Sequence, residues 1–141
     1  MGNSFFENIV FGKAPLMNGI LYPDGTFHQV VICQLGRHSF QLEKYQEKKV
    51  DISEVEWIEF DTLSEVRPSD SDFCVKAGEG AFGGDGFVLL TKHEVVEWIA
   101  FFENSNPLSI VEADDEKAIV ESDLGLRLSI PFSNPQNLYV I

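Results

Sequence analysis

Short hydrophobic runs, each closed by a turn signal, follow one another along most of this chain. Residues 126–132 alternate hydrophobic and polar side chains, which is typical of a strand with one buried face. In residues 95–102 both sets of alternating positions are mostly hydrophobic. This predicts a strand in the interior of a sheet whose two faces are both covered. Pro131 cannot donate a ladder hydrogen bond, so its end of the strand is expected at a sheet edge.

Turn residues divide the hydrophobic runs into hairpins. The sequence Pro23-Asp24-Gly25 lies between two β-rich runs. Proline presets φ for a turn, aspartate bonds the backbone ahead of it, and glycine adopts a positive φ without strain. The acidic residues 113–116 lie between two further runs. Both patterns predict antiparallel pairs of strands.

The sequences of two segments are compatible with either a helix or a strand. Residues 1–18 contain hydrophobic side chains that suit either one turn of amphipathic helix or a first strand. Residues 53–66 begin with a capping-box sequence and place hydrophobic positions on one helix face. The same segment holds the β-rich run 55–60 with interleaved acids, and for this reason we favour a strand.

About nine short strands, joined by tight turns, predict a mostly β fold. The simplest arrangement is an antiparallel meander that forms a sandwich, a roll or a partly closed barrel, with at most one or two short helices. The 141 residues contain no low-complexity stretch and no obvious linker. We therefore interpret residues 1–141 as a single domain.

Composition favours a folded protein in the cytoplasm. Hydrophobic residues make up 44% of the chain, whereas disordered chains are poor in large apolar side chains. The N-terminal residues lack the basic and apolar regions of a signal peptide. The longest hydrophobic runs are far shorter than the roughly 20 residues of a membrane span, so we expect no membrane association. Cys33 and Cys74 have no metal or redox spacing and are interpreted as small hydrophobic side chains.

The formal net charge is −13, and the excess of acids is uneven. Residues 50–72 contain eight acids and one base, and residues 103–123 contain seven acids and one base. Such a surface repels phosphate backbones, which disfavours nucleic-acid binding. It would attract a basic protein or a cation. Net charge also keeps small proteins in solution, which is the simpler explanation.

Residues 78–83 have the spacing GxGxxG. A dinucleotide-binding loop of this kind leads into a helix, but a β-rich run follows here. The six residues also resemble the glycine-rich loop of protein kinases, which connects two strands; Asp85 stands where that loop carries Val, and no other kinase element is present. We interpret residues 78–86 as a turn with several positive φ angles, or as a mobile loop that contacts a partner or ligand.

Local sequence assigns no catalytic, cofactor-binding or metal-ligating residue. His28, His38 and His93 are scattered, without a metal-site spacing. Neither cysteine lies in a nucleophile motif, and the turn at residues 113–116 lacks the ligand order of a calcium loop. We expect no cofactor, and we favour a non-catalytic role while an enzymatic one stays open.

The candidate partner-binding residues come from the two acidic segments. Trp57 lies among acids, and aromatic side chains anchor protein interfaces while surrounding charges steer the partner. The selected residues are Glu54, Glu56, Trp57, Glu59, Asp61, Asp114, Asp115 and Glu116.

The favoured hypothesis is an acidic protein-binding module, either an inhibitor or an immunity-type protein that neutralises a basic partner such as a nuclease toxin. The chain is similar to immunity proteins in profile: small, acidic and without a catalytic motif. One alternative is a small-molecule-binding, barrel-like β protein. Another is an enzyme whose active site is assembled from distant residues, with the three histidines as first candidates.

Overall fold

A computed structural model of the chain describes residues 4–68, 72–80 and 83–141. One α-helix and thirteen strands lie within these residues. They are α1 (Ser4–Val10), β1 (Lys13–Pro15), β2 (Gly19–Leu21), β3 (Thr26–Gly36), β4 (Ser39–Lys44), β5 (Lys48–Lys49), β6 (Trp57–Val66), β7 (Phe73–Gly80), β8 (Gly86–Lys92), β9 (Val95–Phe102), β10 (Ser109–Ala113), β11 (Lys117–Glu121), β12 (Arg127–Pro131) and β13 (Tyr139–Val140). Two short 3₁₀ segments are Ile52–Glu54 and Pro135–Asn137.

The larger sheet contains nine strands. Eight of them follow the order β1-β6-β7-β8-β9-β2-β3-β4, and β5 pairs with β3. β9 lies between β8 and β2, and six of its eight residues are buried. The prediction of an interior strand at residues 95–102 is therefore confirmed.

The smaller sheet contains four strands in the order β10-β11-β12-β13. The acidic residues 114–116 form the turn of the β10–β11 hairpin, as the sequence predicts. β13 pairs with β12 only at Leu128 and Ser129, so Pro131 lies beyond the end of that pairing. A proline is tolerated there because no neighbouring strand requires its missing N–H.

The two sheets pack face to face around the larger hydrophobic core. Every second residue of the central strands points into it, including Val88, Leu90 and Trp98. The smaller sheet contributes the alternating residues Leu126, Leu128, Ile130 and Phe132. The indole Nε1 of Trp98 donates a hydrogen bond of 3.0 Å to the Phe132 carbonyl, which ties the two sheets together.

A second core covers the opposite face of the larger sheet. Leu21, Phe87 and Phe101 point into it from the sheet, and Phe5 of α1 is fully buried against them. The N-terminal segment thus forms both a helix and a short strand, β1, where the sequence left the two alternatives open. Its hydrophobic residues close the side of the sheet that the smaller sheet does not cover.

The architecture is mostly β and antiparallel, as predicted, and the sheets do not close into a barrel. The number of strands is larger than the nine expected, because several pairs involve only two or three residues. The ambiguous segment 53–66 is a strand from Trp57 onward, and Ser53, the first residue of the capping-box sequence, lies inside the short 3₁₀ segment, whose N-cap residue is Asp51. There Asp51 accepts a hydrogen bond from the Ser53 N–H.

The glycine-rich segment differs from its prediction. β7 continues through Gly80, and Gly83 is the glycine of residues 78–86 with a positive φ among the described part of the segment. Ala81 and Phe82 lie outside the described residues. Asp85 is buried and accepts a hydrogen bond of 2.9 Å from the Asn104 N–H, so the second half of the segment is fixed to the loop after β9.

The β2–β3 turn forms as the Pro23-Asp24-Gly25 sequence predicts. Gly25 has a φ of 90°, and Asp24 accepts a hydrogen bond of 2.9 Å from the Thr26 N–H. Lys49 of β5 lies 3.1 Å from the same carboxylate. The pKa of Asp24 is lowered to about 2, mainly by the hydrogen bonds from Thr26 and further by Lys49.

Because its pKa is lowered in the folded state, Asp24 stabilises the protein fully above its unfolded-state pKa, and this stabilisation is lost as the pH falls through the folded-state pKa. We expect the Asp24→Ala variant to be less stable than the wild type at neutral pH. The difference should start to shrink as the pH falls below about 4 and be lost near pH 2. Urea unfolding of both proteins between pH 7 and the acid limit measures this, and a difference that does not change with pH would contradict it.

Candidate partner-binding surface

β6 presents a largely open edge of the larger sheet. β1 covers only its first three residues, Trp57 to Glu59, and the Phe60 N–H bonds the Gly12 carbonyl. On the other side, β6 pairs with β7, and the pairing shifts between Thr62 and Ser64. Leu63 is therefore the extra residue of a β-bulge, which bends and twists an exposed edge.

Three carboxylates lie on one face beside this edge. Ile58 and Phe60 pack toward the second core, so the alternation points Glu59 and Asp61 to the opposite face. Asp61 pairs directly with Glu79 of β7, which lies on the same face. Since successive same-face residues are about 7 Å apart along a strand, the three acids form one compact group.

These three carboxylates have no ion pair with a cation within the described residues. Lys13 lies opposite Glu59 in the β1–β6 register, yet no charged contact within 4.0 Å joins them. Two other acids do have a cation partner: Glu65 pairs with Lys76 at 3.4 Å, and Glu121 pairs with Arg127 at 3.4 Å. What distinguishes Asp61 and Glu79 from the other unpaired acids is that they lie directly opposite each other on neighbouring strands.

Two exposed hydrophobic residues lie close to the carboxylates along the backbone. Phe11 is 77% exposed and precedes Gly12, whose carbonyl bonds β6 at Phe60. Leu63, at the bulge, is 53% exposed. We call the surface formed by Phe11, Glu59, Asp61, Leu63 and Glu79 the acidic edge.

The smaller sheet reaches the far half of β6. The Ile110 N–H of β10 donates to Ser64 Oγ at 2.9 Å, and the Leu108 N–H donates to the Gly78 carbonyl at 3.0 Å. The two acidic segments of the sequence therefore adjoin along β6 and β10. The hydrogen bond between them joins the Ile110 backbone to the Ser64 side chain, while Glu112 of β10 remains exposed.

The sequence-predicted partner residues are distributed along β6 and beyond it. Glu59 and Asp61 lie together in the acidic edge. Glu54 and Glu56 are exposed near the start of β6, where they line a cavity of about 450 Å³ with Leu16. Trp57 is half-buried, with its ring centroid 6.0 Å from that of Phe5.

The turn residues 114–116 lie at the other end of the strand. β6 spans ten residues, so its two ends are about 30 Å apart. Asp114 accepts hydrogen bonds from the Glu116 and Lys117 N–H groups, which lower its pKa and hold the turn. Asp115 and Glu116 line a different cavity, beside Phe73. The structure does not bring these three residues together with Glu59 and Asp61.

The three histidines do not form a common site. His28 lies on β3 with Nε2 3.3 Å from the Glu47 carboxylate, and His93 lies in the β8–β9 turn 3.3 Å from Asp72. His38 lies in the β3–β4 turn with a φ of 63°. Across the described ranges, no group of three or more potential ligands is arranged to hold a metal ion.

No family model, no curated protein and no solved structure matches this chain. Within residues 4–68, 72–80 and 83–141, no helix is long and apolar enough to cross a membrane.

Proposed function

We propose that this chain is a non-catalytic, acidic binding protein that holds a basic protein partner through the acidic edge. The observation that carries the proposal is the placement of Asp61 directly opposite Glu79, without a cation beside either carboxylate among the described residues. The partner would supply the missing positive charge. An inhibitor or an immunity-type protein that neutralises a basic toxin in the cytoplasm is the role that suits this surface.

The like-charged pair is unfavourable for the isolated fold. Equal charges directly opposite each other on neighbouring strands repel, whereas opposite charges at such positions stabilise a sheet by about 0.2–1 kcal/mol. Sequences break such local rules mainly where function requires it. A lysine or arginine of a partner, placed between Asp61 and Glu79, would turn the repulsion into attraction.

The surroundings of the pair suit a protein surface better than a small ion. Phe11 and Leu63 add exposed hydrophobic area close to the carboxylates along the backbone, and protein interfaces combine a hydrophobic centre with charged groups that steer the partner. The open edge of β6 also leaves backbone groups free to bond an added strand. The bulge at Leu63 limits such pairing to a few residues.

Site-specific photo-crosslinking in the cells that make the protein tests the proposal. We expect a cross-linkable residue at position 63 or 11 to capture the same protein, and that protein to be basic. The matched control is position 139, because Tyr139 is exposed to a similar extent, 54%, but lies on β13 of the smaller sheet. Equal capture from position 139, or capture of an acidic protein, would overturn the proposal.

The captured partner then allows the charge argument to be measured. We expect Asp61→Asn combined with Glu79→Gln to lower the association rate constant at low salt by about 3-fold or more, because charges at an interface act chiefly on association. The wild-type rate should also fall steeply as salt is added. Glu94→Gln, an exposed change in the β8–β9 turn, serves as the control and should leave the rate unchanged. A rate that is independent of salt and of both carboxylates would contradict the assigned surface.

A further inference from the structure

A separate cavity of about 520 Å³ opens beside the β2–β3 turn, away from the acidic edge. Five distant segments of the chain form it: the turn itself, β3, the loop before β5, β9 and the 3₁₀ segment after β12. Its volume lies within the range of about 300–1,000 Å³ that small-molecule sites occupy. Its polar lining includes Tyr22, His28, Glu47, Glu97 and Gln136.

Tyr22 provides an aromatic wall that is held in place. Its hydroxyl and the Gln136 Oε1 are 3.2 Å apart in a hydrogen bond that the hydroxyl donates. Its ring meets the His28 ring edge to face, with centroids 5.9 Å apart. His28 in turn lies 3.3 Å from the Glu47 carboxylate. These contacts fix the ring from two sides, so the wall is preorganised for a ligand.

Glu97 is brought to the cavity by an irregularity of β9. Leu90 pairs with Trp98 and Thr91 pairs with Val96, so Glu97 is the extra residue of a β-bulge. Bulges redirect a side chain and are common beside functional sites. The redirected carboxylate lines this cavity and also an adjoining one of about 490 Å³, in which Phe73 and Phe132 are the aromatic walls.

The electrostatic field in the cavity is negative. The pKa of the Tyr22 hydroxyl is raised, mainly by burial and further by the carboxylates of Glu47, Asp24 and Glu97. Asp24 is paired with Lys49, and Glu47 faces His28. Glu97 has no ion pair among the described residues, so its charge is available to a ligand.

We propose that this cavity binds a small organic cation: an alkyl chain that ends in a primary ammonium or guanidinium group. The cationic end lies against the Tyr22 ring and bonds the Glu97 carboxylate, because cations are attracted to aromatic faces and form their strongest hydrogen bonds with carboxylates. The amide of Gln136 and the carboxylate of Glu47 supply further polar partners. The alkyl part lies along Val96 and Pro23.

Calorimetric titration with agmatine, which carries a guanidinium and an ammonium group, tests the site. We expect binding by the wild type, and a dissociation constant at least about 10-fold weaker for Glu97→Gln, because a hydrogen bond to a charged group is worth roughly one factor of ten or more. Tyr22→Leu should weaken binding as well, whereas Tyr22→Phe, which keeps the ring, should weaken it less. Unchanged melting temperatures show that the variants are folded.

The control removes the same charge elsewhere. Glu112→Gln lowers the net negative charge by one unit as Glu97→Gln does, but on β10 of the smaller sheet, where Glu112 is exposed, and it should leave agmatine binding unchanged. Equal weakening by both variants would show that agmatine responds only to the overall charge and would overturn the site. A neutral alcohol of similar length should not bind, and its binding with the affinity of agmatine would overturn the cationic assignment.

The source of the cationic group is tested with a second probe. A short peptide with a central arginine carries the same guanidinium but adds a main chain on either side. Tighter binding of agmatine supports a free small cation. Tighter binding of the peptide would overturn the free cation in favour of a side chain from a protein. Because these experiments use Glu97 and Tyr22, their outcome is independent of the acidic edge.

Discussion

Replacing Gly78 with alanine is expected to lower the free energy of unfolding by about 2–4 kcal/mol. A Cβ at position 78 would overlap the carbonyl oxygen of Asp61 and lie 2.9 Å from the Leu63 nitrogen. Both are backbone atoms of the β6 bulge, and backbone inside a sheet cannot move aside as the end of a flexible side chain can. For a domain of about this size, each 1 kcal/mol shifts the melting temperature by roughly 2–4 °C.

Gly84→Ala provides the control for this prediction. Gly84 lies in the same glycine-rich segment, but a Cβ there would meet nothing within 4 Å, and its φ is not positive. Urea unfolding should therefore place Gly84→Ala close to the wild type and Gly78→Ala far below it. Similar stabilities for the two variants would mean that the bulge adapts to the added methyl group.

The same contact links fold stability to the acidic edge. Gly78 lets β6 approach β7 closely where the bulge begins, and the bulge starts one residue after the Asp61–Glu79 pair. A Gly78→Ala variant that still folds would have to shift Asp61. We therefore expect any partner-binding assay to be more sensitive to Gly78 than to Gly84.

Much of the fold was predictable because hydrophobic alternation reports burial directly. Residues 126–132 alternate and lie in the smaller sheet, which has one covered face. Residues 95–102 are hydrophobic on both faces and lie in the larger sheet, which is covered on both faces. The strand at 57–66 was predictable only as the better of two alternatives. Its capping signal and hydrophobic spacing suit a helix, and cross-strand pairing with β7 decides in favour of a strand.

The candidate sites were less predictable because they depend on pairing between distant segments. Glu79 lies in a glycine-rich stretch whose composition indicates a loop, so nothing local places it opposite Asp61. Phe11 is exposed although its neighbourhood is hydrophobic. The cavity beside Tyr22 requires Glu97 from a bulge and Gln136 from the far end of the chain, and no local pattern encodes either position.

Trp98→Ala is expected to cost about 3–5 kcal/mol, which is a large share of the total stability of about 5–15 kcal/mol that a domain of this kind has. The side chain is 1% exposed and lies in the core between the sheets. Its removal leaves a cavity that the two sheets cannot fill without moving. It also leaves the Phe132 carbonyl without its donor at 3.0 Å.

Trp98→Phe separates the two contributions. Phenylalanine keeps much of the packing but cannot donate to the Phe132 carbonyl, and a buried acceptor left unpaired costs about 1–3 kcal/mol. We expect its stability to lie between those of the wild type and Trp98→Ala in urea unfolding. Trp57→Ala is the matched control, because the half-buried Trp57 packs against the second core and its replacement should cost less. Equal stabilities of Trp98→Ala and Trp57→Ala would contradict the larger cost expected at the fully buried position.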